Sequence, residues 1–409
     1  MGLAMAQAEL NIGTIGHVDH GKSTLVQALT GKFPDTHSEE LKRGITIKLG
    51  YSEAVFYKCS SCPEPQCYSV KPKCENCGKE SKALRKVSFL DSPGHETLMA
   101  TVIAASSIMD GALFLIAANE ECPQPQTIEH LMILEAAEIK NVVVVQNKVD
   151  LVSKEKALEN YKQIKEFLKG STLQDAPVVP LVANVGGNLD ALIQTIEETI
   201  PTPERAGEGK QGKMLIARSF DVNKPGKEIS KLTGGVVGGS ITEGVLRVGD
   251  EVTILPGALR VKKEKETYQP LTTKIVSLFA ENEKLEEARP GGLIAVGTQL
   301  DPALTHSDSL VGNVLGNKET LPKVYSEFKM EITQMKRMLQ KFTESFKPSE
   351  PLVLGAGTAT TVGFVAEQKK NVVKISLKKP ICLDKSSRIA VMRRAENRWR
   401  LYGTAKLLE

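Results

Sequence analysis

The chain has 409 residues, well above the roughly 150 that a single domain usually spans, so we expect two or three domains. Hydrophobic residues make up 41% and charged residues 25%, with 33 Gly and 20 Pro, a balance that excludes a mainly disordered or fibrous chain. The longest apolar runs are far shorter than the roughly 20 residues that a membrane span needs, and no basic segment precedes an apolar stretch at the N-terminus. We therefore expect no membrane partner and no signal peptide, and a cytoplasmic location.

Basic residues are concentrated near the C-terminal end. Lys and Arg total 53 against 49 Asp and Glu, a net charge of +4. Residues 367–409 contain seven Lys and five Arg against four acidic residues, a net of +8, so the remainder nets −4. This distribution favours an anionic partner such as RNA or an acidic protein surface, and a solvated basic face of a β-domain is the alternative.

The first half of the chain alternates short apolar runs with helical patterns, which is typical of a doubly wound α/β domain with a mainly parallel sheet. Strands are predicted at 10–15, 87–90, 112–117, 142–146 and 178–182. Helices are predicted at 22–30, 96–107, 126–138, 154–168 and 188–200. We therefore predict a first domain at 1–204.

The pattern changes after a linker at 201–212 that is rich in Pro, Gly and charge. Short alternating runs separated by Gly-rich turns follow the linker, which is typical of antiparallel β-barrels. A further break lies near 316–323. We predict two barrel domains, at 213–320 and 321–409.

Residues 16–23 read Gly-His-Val-Asp-His-Gly-Lys-Ser and join a predicted strand to a predicted helix, which is the pattern and the context of a phosphate-binding loop. The glycines allow backbone N–H groups to turn toward phosphates, and the helix that begins there adds the positive end of its dipole. Lys22 would contact the β and γ phosphates, and Ser23 would bind Mg²⁺. The residues predicted to bind the nucleotide here are Asp19, His20, Gly21, Lys22, Ser23 and Thr24.

A second motif, Asp91-Ser-Pro-Gly94-His95, follows the strand predicted at 87–90. It lies at the carboxyl end of that strand, where open α/β sheets bind their ligands. We predict that Asp91 holds a magnesium-bound water, that Gly94 donates its N–H to the γ phosphate, and that His95 is the catalytic residue that orients the attacking water. The alternative for His95 is a surface residue that caps the next helix.

The motif Asn147-Lys148-Val-Asp150 follows the strand predicted at 142–146 and indicates which base is bound. The Asp150 carboxylate can accept two hydrogen bonds from the N1–H and 2-amino groups of guanine, a donor pair that adenine lacks. GTP and GDP are therefore predicted as ligands. Asn147 would connect this loop to the base and to the phosphate loop, and the stem of Lys148 would lie over the base. The alternative is a charged turn after a buried strand.

An insert at 57–80 contains five of the seven cysteines. Two pairs in it have the spacing Cys-x-x-Cys, namely Cys59 with Cys62 and Cys74 with Cys77. Four thiolates are the ligand set of tetrahedral Zn²⁺ in a structural site, so we predict one zinc ion. Redox-active dithiols or a metal-free loop are the alternatives. Cys67 lies between the pairs as a spare thiol that could replace a ligand.

In this order, the nucleotide motifs resemble those of the translational GTPases, the elongation factor Tu-like family, which implies a GTPase domain followed by two β-barrels. The segment Arg-Gly-Ile-Thr-Ile at 43–47 matches the first switch of that family, whose threonine, here Thr46, closes on Mg²⁺. Val18 and Ile45 match the apolar pair beside the catalytic histidine. Asp19 matches a residue that helps to bind a second cation.

One motif departs from the family pattern. The last guanine motif usually reads Ser-Ala, whereas this chain has Val182-Ala183-Asn184. The resemblance implies that the Ala183 N–H contacts guanine O6, without support from a serine hydroxyl.

The cysteine insert narrows the resemblance, because ordinary elongation factors have only strand and turn at that place. With the segments at 35–46, 218–226, 387–394 and 397–403, the whole chain resembles the gamma-subunit family of archaeal and eukaryotic translation initiation factor 2. This resemblance implies GTP-dependent delivery of methionylated initiator tRNA to the small ribosomal subunit, in a heterotrimer with alpha and beta subunits. Two alternatives stay open: an elongation factor that delivers elongator or selenocysteinyl tRNA, and a nucleic-acid-binding module whose nucleotide and zinc are only structural.

Overall fold

The structure is a computed structural model. It describes residues 6–33, 49–94, 99–205, 210–223, 226, 228, 232–262, 265–340, 342, 345–396 and 398–408. Within these ranges, none of the helices has the length and apolar content needed to cross a membrane. The chain divides into two units: Ala8–Pro203 with Lys336–Gln340, and Met1–Gln7 with Glu204–Met335 and Lys341–Glu409.

A seven-stranded sheet forms the centre of the unit that contains residues 8–203. Its strands are β1 Leu10–Gly16, β2 Gly50–Lys58, β3 Tyr68–Ser69, β4 Lys82–Asp91, β5 Gly111–Ala117, β6 Val142–Asn147 and β7 Val178–Pro180. The spatial order is β3-β2-β4-β1-β5-β6-β7, with β2 antiparallel to both of its neighbours and the other pairs parallel. Every residue of β1 and β5 is buried, as expected for central strands that are covered on both faces.

Five helices accompany this sheet in the described part of the chain. They are α1 Lys22–Thr30, α2 Met99–Ser106, α3 Pro125–Ala136, α4 Lys154–Leu168 and α5 Leu189–Thr199, with short 3₁₀ helices at Val149–Leu151 and Ala183–Val185. The predicted bounds of α1 and α4 agree with the structure. Gly31 caps α1 with a positive φ of 73° and donates its N–H to the Gln27 carbonyl. The prediction of a doubly wound, mainly parallel α/β domain is confirmed.

Strand β2 was not predicted, and β4 begins five residues earlier than predicted. Both differences arise from charged residues that are buried in pairs. Glu53 of β2 pairs with Lys86 of β4, and the Arg85 Nε donates to Glu197 Oε1 of α5 at 2.7 Å. A sequence pattern assigns such residues to the surface, whereas pairing lets them occupy buried strand positions.

The second unit begins with a closed antiparallel barrel. Its strands and the short strands attached to it are β8 Lys213–Phe220, β9 Val236–Glu243, β10 Leu246–Arg247, β11 Glu251–Lys262, β12 Lys265–Ala280, β13 Glu283–Leu285, β14 Glu287–Ala288, β15 Ile294–Thr298 and β16 Val314–Gly316. The order is β11-β16-β8-β9-β15-β12, closed by pairing of β11 with β12. Short 3₁₀ helices span Pro302–Leu304 and His306–Asp308. The barrel interior is filled by apolar side chains such as Ile216, Val237 and Ile254.

Six further strands form a second closed barrel. They are β17 Lys323–Gln334, β18 Pro351–Ala356, β19 Ala359–Lys369, β20 Val372–Leu383, β21 Arg388–Ala395 and β22 Arg398–Leu408. The order is β17-β20-β19-β18-β21-β22, and β17 pairs with β22 to close the barrel. Two antiparallel barrels after the α/β domain were predicted, and this prediction is confirmed.

Candidate functional site

The predicted phosphate loop connects β1 to α1. Gly16 allows close packing, because a Cβ atom there would lie 2.5 Å from the Leu115 carbonyl oxygen. Gly21 is the residue before the helix, with a φ of 89° that favours glycine. Lys22 is the first residue of α1 and is only 6% exposed. Its Nζ donates to the carbonyl of His17 at 2.8 Å, so the ammonium group lies over the loop backbone.

Asp91, the last residue of β4, lies beside this loop and is completely buried. Ser23 Oγ donates to Asp91 Oδ2 at 2.5 Å, and Thr14 Oγ1 donates to Asp91 Oδ1 at 2.7 Å. Two of the residues predicted to bind Mg²⁺, Ser23 and Asp91, are therefore neighbours. Thr14 was not predicted, and its only signal in the sequence is a hydroxyl side chain in a mainly apolar strand.

Gly94 lies directly against the phosphate loop. A Cβ atom at this position would lie 2.8 Å from the Gly16 carbonyl oxygen and 2.9 Å from the Val18 backbone nitrogen, so only glycine fits. The predicted catalytic residue His95 and the predicted switch residue Thr46 lie outside the described residues, as does Ile45. Asp19 is exposed and has a positive φ of 62°.

Asn147, the last residue of β6, connects two loops and is 2% exposed. Its Nδ2 donates to the His20 carbonyl at 2.9 Å, and its Oδ1 accepts from the Ala183 N–H at 3.1 Å. One amide side chain thus holds both the phosphate loop and the last predicted guanine loop. The contact between Asn147 and the phosphate loop is the one expected from the sequence. The Ala183 N–H, predicted to meet guanine O6, is directed at Asn147.

The other two residues predicted to recognise guanine follow Asn147 at the surface. Lys148 is half-buried and has a positive φ of 61°, and Asp150 is exposed within the 3₁₀ turn Val149–Leu151. The turn of the last guanine loop is closed by reciprocal backbone hydrogen bonds between Val182 and Gly187, at 3.1 and 3.0 Å. The hydrogen bonds of the Val182 backbone keep this turn formed although the usual serine is absent.

The side chain of His20 turns into the protein. It is 1% exposed, with Nδ1 at 2.9 Å from the Leu115 carbonyl and Nε2 at 3.2 Å from Glu120 Oε2. Burial lowers the pKa of His20, and the contacts with Leu115 and Glu120 act in the opposite direction. Its link to the nucleotide loops is the backbone carbonyl that accepts from Asn147. Thr24, in the first turn of α1, is half-buried.

The four predicted zinc ligands come together in one cluster. The Sγ atoms of Cys59, Cys62, Cys74 and Cys77 all lie within 4.8 Å of one another. Cys59 and Cys77 are 3.5 Å apart, and Cys62 and Cys74 are 3.6 Å apart. In a tetrahedral site with Zn–S bonds of about 2.3 Å, neighbouring sulfurs lie about 3.8 Å apart, so the cluster has the size that zinc requires.

The backbone around the cysteines has the tight turns of a zinc knuckle. The Ser61 N–H donates to Cys59 Sγ at 3.4 Å, and this hydrogen bond is the largest of the contributions that lower the pKa of the Cys59 thiol to about 7. Gly78 follows the last ligand with a φ of 74° and donates to the Cys74 carbonyl at 2.9 Å. Cys67 is buried, is outside the four-sulfur cluster, and has a pKa raised by burial.

Three family descriptions match successive parts of the chain. The Elongation factor Tu GTP binding domain matches residues 7–202, and Elongation factor Tu domain 2 matches 234–316. The family described as Initiation factor eIF2 gamma, C terminal, matches 326–407. A GTP-binding domain of this class implies binding of GTP or GDP together with Mg²⁺.

Similar proteins extend over nearly the whole chain. Translation initiation factor 2 subunit gamma of Methanosarcina mazei is 53% identical over 405 residues, covering 98% of this chain and 93% of the relative. The protein of the same name from Methanothermobacter thermautotrophicus is 53% identical over 402 residues, covering 97% of this chain and 98% of the relative. That of Pyrococcus furiosus is 51% identical over 401 residues, covering 97% of each.

Solved structures of elongation factors share the fold at lower identity. The elongation factor SelB of Methanococcus maripaludis, in complex with a GTP analogue, has a TM-score of 0.73 and 22% identity over 99% of this chain and 80% of its own. A bacterial selenocysteine-specific factor has the same score and identity over 97% of this chain and 58% of its own. The relatives that are about 50% identical to this chain are named as initiation-factor subunits. The initiation-factor interpretation is therefore supported over the elongation-factor alternative. The chain belongs to the family of translation initiation factor 2 gamma subunits and is a translational GTPase.

Proposed function

We propose that the sheet edge where β1, β4 and β6 end binds GTP with Mg²⁺, and that hydrolysis of GTP there acts as a switch. The observation that carries this proposal is the buried side chain of Asn147, which joins the phosphate loop at His20 to the loop at Ala183. One amide therefore couples the side that would hold phosphates to the side that would hold guanine. A nucleotide that contacts both loops would therefore bind to a preorganised site, and less ordering of the loops would be needed on binding.

On the phosphate side, Lys22 and the N-terminus of α1 would bind the β and γ phosphates. The Lys22 ammonium is held in place by the neutral carbonyl of His17 at 2.8 Å. A phosphate oxygen is a stronger acceptor than this carbonyl because the bond is charge-assisted on both sides. The backbone N–H groups of Gly21 and Lys22 at the start of the helix add a partial positive charge.

Ser23 and Asp91 would hold Mg²⁺, which when bound neutralises phosphate charge. The fit rests on the donor set, because hydroxyl and carboxylate oxygens are the ligands that this hard cation prefers. Thr14 fixes the buried Asp91 carboxylate by a 2.7 Å hydrogen bond, so the carboxylate is already oriented. Thr46 of the first switch would complete the magnesium site, and Asp19 would help to bind a second cation.

Hydrolysis would use Gly94 and His95. The Gly94 N–H would donate to the γ phosphate, and His95 would orient the attacking water. These roles suit a reaction in which the water attacks the γ phosphate in line with the bond that breaks. On the other side, Asp150 would select guanine through its N1–H and 2-amino groups, with the stem of Lys148 over the base. The Ala183 N–H would reach guanine O6 while it is shared with Asn147.

The knuckle at 57–80 would bind one Zn²⁺ through Cys59, Cys62, Cys74 and Cys77. Four thiolates leave no open coordination position, so the ion would supply folding energy rather than catalysis.

We also propose that the chain carries methionylated initiator tRNA to the small ribosomal subunit, as one subunit of a complex with alpha and beta subunits. The relatives' name supports a role in that factor. The γ phosphate would order the first switch and the Gly94 segment, which makes tRNA binding depend on the nucleotide. Exposed basic side chains of the second barrel, such as Lys378, Arg388 and Arg398, are candidates for phosphate contacts.

The test is tRNA binding by the reconstituted three-subunit complex, with a non-hydrolysable GTP analogue and with GDP, across a salt series. We expect tighter binding of initiator tRNA with the analogue, and affinity that falls with salt. Elongator methionyl-tRNA, which carries the same amino acid, is the matched control. Equal affinity in both nucleotide states, or equal affinity for both tRNAs, would reject the carrier role even if GTP is hydrolysed.

A further inference from the structure

The proposed nucleotide site uses the backbone of His20 but not its side chain. The carbonyl of His20 accepts from Asn147, whereas its imidazole is 1% exposed inside the protein. An alanine at this position would supply the same carbonyl. Burying an imidazole costs free energy unless its nitrogens find partners, so the ring requires a reason.

Both ring nitrogens of His20 face acceptors. Nδ1 lies 2.9 Å from the Leu115 carbonyl of β5, and Nε2 lies 3.2 Å from Glu120 Oε2. A carbonyl can only accept, so Nδ1 carries a hydrogen. One proton between Nε2 and Oε2 then completes the second bond, whichever of the two atoms carries it. The ring is therefore held between β5 and the turn that follows this strand.

The backbone of Glu120 is itself held at two points. Its N–H donates to the Ala117 carbonyl at the end of β5, at 3.4 Å, and its carbonyl accepts from Asn160 Nδ2 of α4 at 2.8 Å. The Asn160 side chain is 3% exposed, whereas that of Glu120 is 32% exposed. The carboxylate is therefore not needed to fill the interior, and it reaches His20 from a fixed backbone.

The ring of His20 supports the loop residue that holds Lys22. The rings of His17 and His20 are nearly perpendicular, at 88°, with centroids 5.2 Å apart, and the His20 N–H donates to the His17 carbonyl at 3.4 Å. The same carbonyl accepts from Lys22 Nζ at 2.8 Å. A displaced His20 ring would therefore disturb the acceptor that holds the ammonium group.

We propose that Glu120 is a positioning residue for phosphate binding: its contact with the His20 ring keeps the phosphate loop and the Lys22 ammonium arranged for the β phosphate. It acts through His20 and not on the nucleotide. A loop that is already ordered loses less conformational freedom when phosphate binds. Recognition of guanine should not depend on this contact, because Asp150 lies on another loop. The inference rests on the proposed role of Lys22 as a phosphate contact.

The test measures three ligands with the full chain. Competition titrations against a fluorescent GDP analogue give the affinities for GDP, inosine diphosphate and pyrophosphate. Glu120→Ala removes the carboxylate, and Glu120→Gln keeps an amide that can donate to Nε2 of His20. Glu121→Ala is the matched control, because it removes the same charge from the next residue, which is exposed. Thermal unfolding measures the stability of each variant.

We expect Glu120→Ala to bind GDP and pyrophosphate about tenfold more weakly, which is the usual cost of one buried group left unpaired. The ratio of GDP affinity to inosine diphosphate affinity should stay unchanged. Glu120→Gln should recover most of both affinities, and Glu121→Ala should keep them. Wild-type pyrophosphate affinity in Glu120→Ala, an equal loss in Glu121→Ala, or no recovery in Glu120→Gln overturns the inference. So does a ratio that falls together with the unfolding temperature, because general loosening of the domain would then explain the loss.

A further variant, Lys22→Ala, separates this failure from failure of the proposed function. If Lys22→Ala loses pyrophosphate binding while Glu120→Ala keeps it, the phosphate site stands and the role of Glu120 is rejected. If both variants keep it, the proposed phosphate site is rejected together with the role of Glu120.

Discussion

Replacing Asn147 by alanine should uncouple the guanine side of the site from the phosphate side. The substitution removes a donor to the His20 carbonyl at 2.9 Å and an acceptor for the Ala183 N–H at 3.1 Å, both at a side chain that is 2% exposed. A buried polar group left without a partner costs about 1–3 kcal/mol. Two groups at the low end of that range cost about 2 kcal/mol, which is roughly a thirtyfold loss of affinity.

This cost should appear in nucleotide binding because the two loops respond differently before and after the ligand is bound. Without a nucleotide, loops near the surface can relax so that water satisfies the His20 carbonyl and the Ala183 N–H. A bound guanine nucleotide holds both loops in place and excludes that water, so the unpaired groups remain. The assay is titration of the chain with a fluorescent GDP analogue, together with its dissociation rate, where we expect most of the loss.

The neighbouring residue provides a matched control. Gln146 is 3% exposed, and its Nε2 donates to the Ala157 carbonyl at 2.7 Å and to Asn160 Oδ1 at 2.9 Å. Gln146→Ala therefore also removes two buried hydrogen bonds, but these join β6 to α4. It should lower stability to denaturant and change GDP affinity less than threefold, whereas a loss equal to that in Asn147→Ala would refute the argument. So would wild-type affinity in Asn147→Ala.

Three further variants or treatments test the rest of the site. Asp150→Asn should weaken GTP binding and strengthen binding of xanthosine triphosphate, measured by competition, because an amide suits the xanthine edge; unchanged GTP affinity would count against Asp150. His95→Ala should slow single-turnover hydrolysis by about tenfold to a thousandfold while GTP binding is kept, and full activity would show that another group orients the water. Reductively purified protein should contain one zinc per chain by elemental analysis, and chelation should make 57–80 sensitive to protease before GDP binding is lost; protein without zinc would exclude the site.

The parts of the fold and site that could be predicted are those where a local pattern has one physical meaning. Helix α4 shows helical periodicity between a serine cap and a turn, and its predicted bounds agree with the structure. Gly16, Asp91 and Asn147 are the last residues of β1, β4 and β6, and parallel strands direct their ends to one edge of the sheet. Ser23 and Asp91 are far apart in sequence and are predicted to bind the same cation, and Ser23 Oγ lies 2.5 Å from Asp91 Oδ2.

The parts that could not be predicted depend on partners distant in sequence. Arg85 and Lys86 occupy buried strand positions only because Glu197 and Glu53 neutralise them. Thr14 gains its significance from Asp91, 77 residues away. Composition and periodicity cannot predict such pairs, because they depend only on residues that are close together in the sequence.

The zinc knuckle shows how such distant contacts join two predicted sites that look independent in the sequence. The buried thiols of Cys59 and Cys74 belong to the same apolar cluster as Ile193 of α5 and Ala183 of the last guanine loop. A polar contact adds to this packing, because Gln194 Nε2 of α5 donates to Glu64 Oε2 of the knuckle at 3.2 Å. Loss of zinc would therefore weaken the packing of Cys59 and Cys74 in that cluster.

Loss of zinc should therefore weaken recognition of the guanine base before it weakens binding of the phosphates. Helix α5 follows the guanine loop directly in the chain, whereas Lys22 and Asp91 are held by hydrogen bonds within the phosphate loop and its neighbouring strands. Partial chelation should weaken discrimination between GDP and inosine diphosphate, which lacks the 2-amino group, while the chain still binds pyrophosphate with unchanged affinity. Competition titrations with these two ligands measure the difference. A parallel loss of pyrophosphate binding would mean that the knuckle supports the whole domain rather than the guanine side.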